Sequence, residues 1–146
     1  MAICYAEAAW EGSLREGKGD LRLGSGAFEG QFSYLSRFEE GAGTNPEELI
    51  GAAHAACFNM SVSSALGRSG FTPTRIETKA AVTFEKVDGK NTISQIHLQT
   101  RAEVPGIERQ AFLDIAETAK QNCPVSRALA GVNITLEAEL VESLPG

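Results

Sequence analysis

Two cysteines stand where a thiol could do chemistry. Cys57 lies inside a stretch from Leu49 to Gly67 that contains no Asp, Glu, Lys or Arg, with His54 three residues before it. On a helix beginning at Pro46 it sits 57 − 46 = 11 residues in, about three turns, beyond the first-turn reach of the helix dipole. Burial alone raises a thiol pKa and turns the group into a small, inert hydrophobe. Cys123 is different. It directly precedes Pro124, which opens a new short helix, so it stands at or near an N-cap where free N–H groups favour a thiolate. Two core helices could bring these thiols together across 123 − 57 = 66 residues of chain.

His54 and Cys57 at i and i+3 share a helix face, and a histidine base could activate a thiol. That leaves open a hydrolase or acyltransferase, although no glycine-rich oxyanion motif accompanies the pair. The plainer role for His54 is a hydrogen-bonded core or interface histidine. The third cysteine, Cys4, falls in an expected edge strand and receives no role.

The elements that must position these residues are legible in turn. Glycine-separated alternating pieces at 6–10, 19–23 and 27–34 predict a β-meander, followed by a flexible connection at Gly41–Gly43. Asn45 is an N-cap candidate, Pro46 suits the first helical position, and Glu48 completes the look of a capping box. The helix is expected to run to Ser69 and stop at Gly70. One of its faces carries Leu49, Ala52, Ala53, Ala56, Met60 and Ser64, small enough for close packing. Residues 75–87 and 92–104 then alternate around Asp88-Gly89, a hairpin signal, with Ile93 out of phase and a bulge implied. A helical stripe covers 107–122, a short helix follows Pro124, and 132–140 closes as a strand. The order predicts a single α+β domain over residues 1–146, an antiparallel sheet with helices packed on it. A helix apolar on every side needs covering, so a homodimer sharing the long helix is expected.

Composition narrows the partners. A formal net charge of −6 over 146 residues argues against nucleic acid or an anionic membrane surface. The 49–66 run is long enough to span a bilayer, but Gly51, His54, Asn59, its serines and its soluble-type cap argue against a span. The N-terminal MAICYAEAAW lacks the basic and apolar regions of a signal peptide, so a cytoplasmic location is expected. With no C-x-x-C pair and no zinc-like histidine spacing, neither a structural disulfide nor a metal site is expected.

The stretches RFEEGAGTNPEELIGAAHAACF, ending on Cys57, and NCPVSRAL, containing Cys123, resemble the osmotically inducible protein C family, which also contains the organic hydroperoxide resistance proteins. The resemblance extends from AAWEG at 8–12 through FTPTRIET and KVDGKNTI to the final strand, and is nearer the osmotically inducible branch. It implies an intertwined homodimer with long central helices enclosed by antiparallel sheets, and a cysteine-based peroxidase without cofactor. The cysteine matching Cys57 attacks the peroxide and becomes a sulfenic acid; the one matching Cys123 condenses with it to a disulfide. An external dithiol, such as a lipoyl-bearing protein or thioredoxin, reduces that disulfide. The family's arginine and glutamate match Arg37 and Glu47. In the organic hydroperoxide branch the arginine comes from the N-terminal strands, where Arg15 and Arg22 are the competing candidates.

These implied roles are physically coherent. A thiolate three turns into a helix needs a cation, and arginine is charged at any working pH. Each pKa unit of depression asks for about 1.4 kcal/mol, so moving from about 8.5 to near 6 asks for roughly 3–4 kcal/mol. Glu47 could hold the guanidinium and exchange a proton. Phe38, Phe58, Met60 and Phe112 are candidates for an apolar wall that would favour organic hydroperoxides over hydrogen peroxide. The non-enzymatic alternative is a dimeric binding protein for a small apolar ligand, which would tolerate loss of both cysteines.

Overall fold

The computed structural model describes residues 1–146, and its contacts group into two compact units, residues 1–49 and 50–146. In the first, β1 (Ala6–Glu11), β2 (Lys18–Leu23) and β3 (Glu29–Phe32) form an antiparallel meander in sequence order. Gly19 faces the Phe32 ring across β2 and β3; a Cβ there would collide with it. Phe32 in turn packs against Trp10 with ring centroids 5.6 Å apart.

The third strand ends at Phe32, two residues short of the expected Tyr34, because Ser33 starts a helix instead. α1 (Tyr34–Phe38) is capped reciprocally: the Ser33 side chain accepts from the Ser36 N–H, and the Ser36 hydroxyl oxygen accepts from the Ser33 N–H. Ser36 also donates to the Thr44 carbonyl at 2.7 Å, tying the far end of the glycine connection back to α1.

α2 runs from Pro46 to Arg68, its first residues belonging to the first unit. The Asn45 side-chain oxygen accepts from the Glu48 N–H at 2.8 Å, as an N-cap should. The other half of the capping box is replaced, since the Glu48 carboxylate accepts from the Thr44 hydroxyl. Gly70, at φ 87°, supplies the left-handed residue after the helix.

In the second unit β4 (Arg75–Val87) and β5 (Lys90–Glu103) form the expected hairpin, with Asp88 and Gly89 both at positive φ as a two-residue turn requires. Thr83 pairs with Gln95 but Phe84 with Ile93, so Ser94 is the extra residue of a bulge and Ile93 returns to phase. β6 (Asn133–Leu140) pairs with β5 in parallel, which corrects the all-antiparallel expectation for this sheet. Parallel neighbours need a crossover, and α3 (Arg109–Asn122) with α4 (Pro124–Ala128) supplies it.

The core of this unit joins Phe58, Val62 and Leu66 of α2 to Ile96, Leu98 and Ala102 of β5 and to Phe112 and Ala116 of α3. Each of the large side chains contributes roughly 1.5–3 kcal/mol by leaving water. Only one stripe of α2 is covered: Gly51, His54, Phe58, Val62 and Leu66 are buried, whereas Ala52, Ala53, Ala56, Met60 and Ser64 face outward in the single chain. By length and composition α2 would pass as a membrane-crossing helix, but this stripe lies in the unit's own core.

Candidate active site

The core stripe of α3 places one thiol. Phe112, Ala116 and Ala119 are buried at helical spacing, and Cys123 continues the stripe at 1% exposure, its N–H still donating to Ala119. Pro124 then breaks the helix, and Cys123 becomes the N-cap of α4, its sulfur accepting from the Ser126 N–H at 3.3 Å. The sequence-derived N-cap position is therefore found, with sulfur in the place usually taken by oxygen.

Cys57, half-buried on α2, meets this thiol. Its sulfur is close enough to interact with the Cys123 side chain, the Val125 backbone N–H and the Ser61 side chain one turn further along α2. Burial pushes the Cys57 thiol upward, and the adjacent Cys123 adds to the rise; the Val125 N–H and Ser61 oppose it. Both cysteines carry free thiols. Cys4, expected in an edge strand, precedes β1 and is exposed.

His54 does not form the dyad considered from its spacing. It is fully buried, and its Nε2 lies 2.7 Å from the Ser126 hydroxyl, while Nδ1 has no partner. Burial lowers its pKa and holds it neutral. Ser126, itself buried, also accepts from the Cys123 thiol at 3.1 Å. A continuous chain thus runs Cys57, Cys123, Ser126, His54. Ser126 carried no signal of its own in the sequence; the pointer was positional, because an N-cap at 123 takes its hydrogen bond from residue 126.

Arg37 and Glu47 are brought together within the first unit. The Arg37 Nε and Nη2 groups donate to the same Glu47 oxygen at 3.1 and 2.8 Å. The carboxylate is 8% exposed and the guanidinium 38%. α1, missed in the sequence, carries Arg37, and the first turn of α2 carries Glu47. Of the competing arginines, Arg22 pairs with Glu7 across β1 and β2, and Arg15 lies over the Tyr34 ring at 4.7 Å.

The proposed apolar wall separates into parts. Phe58 and Phe112 are core, Met60 is 73% exposed, and Phe38 lines a cavity of about 240 Å³ in the first unit. Trp10, Leu14, Phe32, Tyr34, Arg37 and Pro46 share that lining. No three His, Cys, Asp or Glu side chains converge to hold a metal ion.

Known proteins resemble this chain in sequence and in fold. The family model described as OsmC-like protein matches residues 39–137. The peroxiredoxin OsmC of Escherichia coli K12 is 48% identical over 92% of this chain and 94% of that protein. An organic hydroperoxide resistance protein of Xanthomonas axonopodis pv. citri is 30% identical over 66% of this chain and 67% of its own length. Among solved structures, an OsmC-like protein of unknown function from Vibrio cholerae superposes with a TM-score of 0.76 at 16% identity, over 94% of this chain and 99% of that one. The organic hydroperoxide resistance protein OhrB of Bacillus subtilis gives 0.68 at 22% identity, over 94% and 98%. By sequence and by its α+β fold, the chain belongs to the OsmC-like family, on the OsmC side of its division from the organic hydroperoxide resistance proteins.

Proposed function

We propose that the protein is a thiol-dependent peroxidase that reduces organic hydroperoxides, with Cys57 as the attacking thiol and Cys123 as the one that closes the disulfide. The observation that carries the reading is the adjacency of these two thiols, close enough for each to act on the other's titration. The Cys57 thiolate attacks the peroxide oxygen, the O–O bond breaks, and an alcohol leaves after taking a proton. Cys57 becomes a sulfenic acid, which Cys123 converts to a disulfide with loss of water. An external dithiol, lipoyl-bearing or thioredoxin-like, restores both thiols.

Burial raises the Cys57 pKa, so a countercharge is needed for the anion to form near neutral pH. Arg37 is assigned that role, with Glu47 fixing the guanidinium from a nearly dry position. The aromatic cavity beside Arg37 suits the hydrocarbon body of the substrate. A second copy of the chain is assigned to the outward Ala52, Ala53, Ala56 and Met60 face of α2, since an apolar helix face of this kind is what a homodimer buries. The whole cycle is placed in the cytoplasm, where thiols are kept reduced.

The test is thiol titration before and after one equivalent of cumene hydroperoxide, with mass mapping of the product. The expected result is loss of two thiols per chain and a Cys57–Cys123 disulfide. Unchanged thiols would sink the reading; a stable thioester formed from an acyl donor would favour acyl transfer instead.

A further inference from the structure

The buried chain beyond Cys123 has no part in the two-cysteine cycle as written, yet every link is of hydrogen-bond length. Cys123 donates to Ser126 Oγ at 3.1 Å, and Ser126 Oγ lies 2.7 Å from His54 Nε2. With Ser126 Oγ accepting from the thiol, its own hydrogen can be donated to Nε2, and the tautomer that the proposal uses has Nε2 as the unprotonated nitrogen. The ring hydrogen is left on Nδ1, the one buried side-chain nitrogen without a partner. Leaving a buried donor unsatisfied costs about 1–3 kcal/mol.

We propose that Ser126 and His54 are the route by which the Cys123 proton leaves when the disulfide closes, an inference that rests on the peroxidase reading. As the Cys123 S–H bond breaks, its proton passes to Ser126 Oγ while the Ser126 proton moves to His54 Nε2. The electron pair freed on Cys123 forms the S–S bond, and the S–O bond of the Cys57 sulfenic acid breaks with its pair leaving on hydroxide. The hydroxide takes a proton from water at the half-buried Cys57, and the proton held on His54 returns along the chain to Cys123 when the external dithiol reopens the bridge as a thiolate. Over the full cycle the protons cancel, and closure gives one disulfide and one water from one sulfenic acid and one thiol, with no further oxidant. The Ser126 N–H, already on the Cys123 sulfur, stabilises the transient anion. Burial lowers the His54 pKa, so the ring enters the step neutral and, once protonated, is driven to give the proton back. Ser126 touches the reacting sulfur; His54 acts through it as a positioning residue.

Single-turnover kinetics with cumene hydroperoxide separate the steps, dimedone trapping reporting sulfenic acid and mass analysis reporting disulfide. In Ser126→Ala and His54→Gln, sulfenic acid should form at the native rate while disulfide closure slows about 10–100-fold, the low end of proton-transfer catalysis. Ser126→Thr, which keeps the hydroxyl, should restore closure to within a few-fold. The Ser126→Ala/His54→Gln double variant should be no slower than either alone, as for one unit. Closure within twofold of native in a folded single variant, or both steps slowing in parallel, overturns the relay. Should the variants not fold, the native protein decides: closure slower in D2O by twofold or more supports the route, and no isotope effect overturns it. Native protein that never yields sulfenic acid overturns the peroxidase reading beneath it, a different outcome from sulfenic acid that closes normally without the hydroxyl.

Discussion

The two clusters of chemistry in this chain are built on opposite electrostatic plans. The Arg37–Glu47 pair is fully ionic, its carboxylate nearly dry and its guanidinium more than a third exposed. In the Cys57–Cys123–Ser126–His54 chain three members are buried, and burial pushes both the Cys57 thiol and the His54 imidazole towards the uncharged form. A neutral, desolvated thiol pair is stable but slow; an ion pair is charged but has no chemistry of its own. On the proposed reading the first cluster supplies the charge that the second cannot hold alone.

Removing the sulfur should have the largest effect on that comparison. Cys57→Ser should reduce hydroperoxide consumption to background in a coupled peroxidase assay, while Cys123→Ser should still consume one equivalent and then advance to sulfinic acid under excess peroxide. Activity surviving in Cys57→Ser would place the chemistry elsewhere. Next, Arg37→Ala should slow the first step about 10–100-fold near neutral pH, equivalent to one or two units of lost pKa depression. Since the missing factor is thiolate, raising the pH should recover much of the rate; a loss of equal size at every pH would mean that Arg37 serves binding instead. Arg37→Lys should fall between, as a point charge cannot reproduce the guanidinium's geometry.

Glu47→Gln should be milder, roughly a few-fold in rate, with stability lowered by about 1 kcal/mol given the solvent screening of its half-exposed partner; urea unfolding and the same assay would separate the two. The smallest effect concerns His54. Its pKa lies below the ordinary 6.5, so its contribution to stability is full above that value and is lost as pH falls through the lowered one. The urea midpoint of the native protein should drop more steeply below pH 6.5 than that of His54→Gln. Parallel curves would show that the buried imidazole does not titrate on its own account.

Where local chemistry dictates local structure, the sequence was sufficient. Asn45-Pro46 started α2, Asp88-Gly89 turned the hairpin, and Pro124 converted Cys123 into a cap. Where the information is non-local it was not. Alternation announces β6 but carries no direction, so its parallel pairing with β5 was invisible. α1 is five residues long, too short for a helical period to register, and its N-cap Ser33 was read as strand. Phe38 and Phe58 are the same residue type, and only packing separates a cavity wall from a core. The thiol contact is the sharpest case: each cysteine's helix was readable, their meeting was not.

Pro124 has one more effect. Lacking an N–H, it leaves Val125 and Ser126 as the first donors of α4, and these two consecutive amides serve one sulfur each, Cys57 and Cys123 respectively. One short stretch of backbone at the start of α4 thus bears on both thiols at once, so a change that displaces this turn disturbs the two sulfurs together.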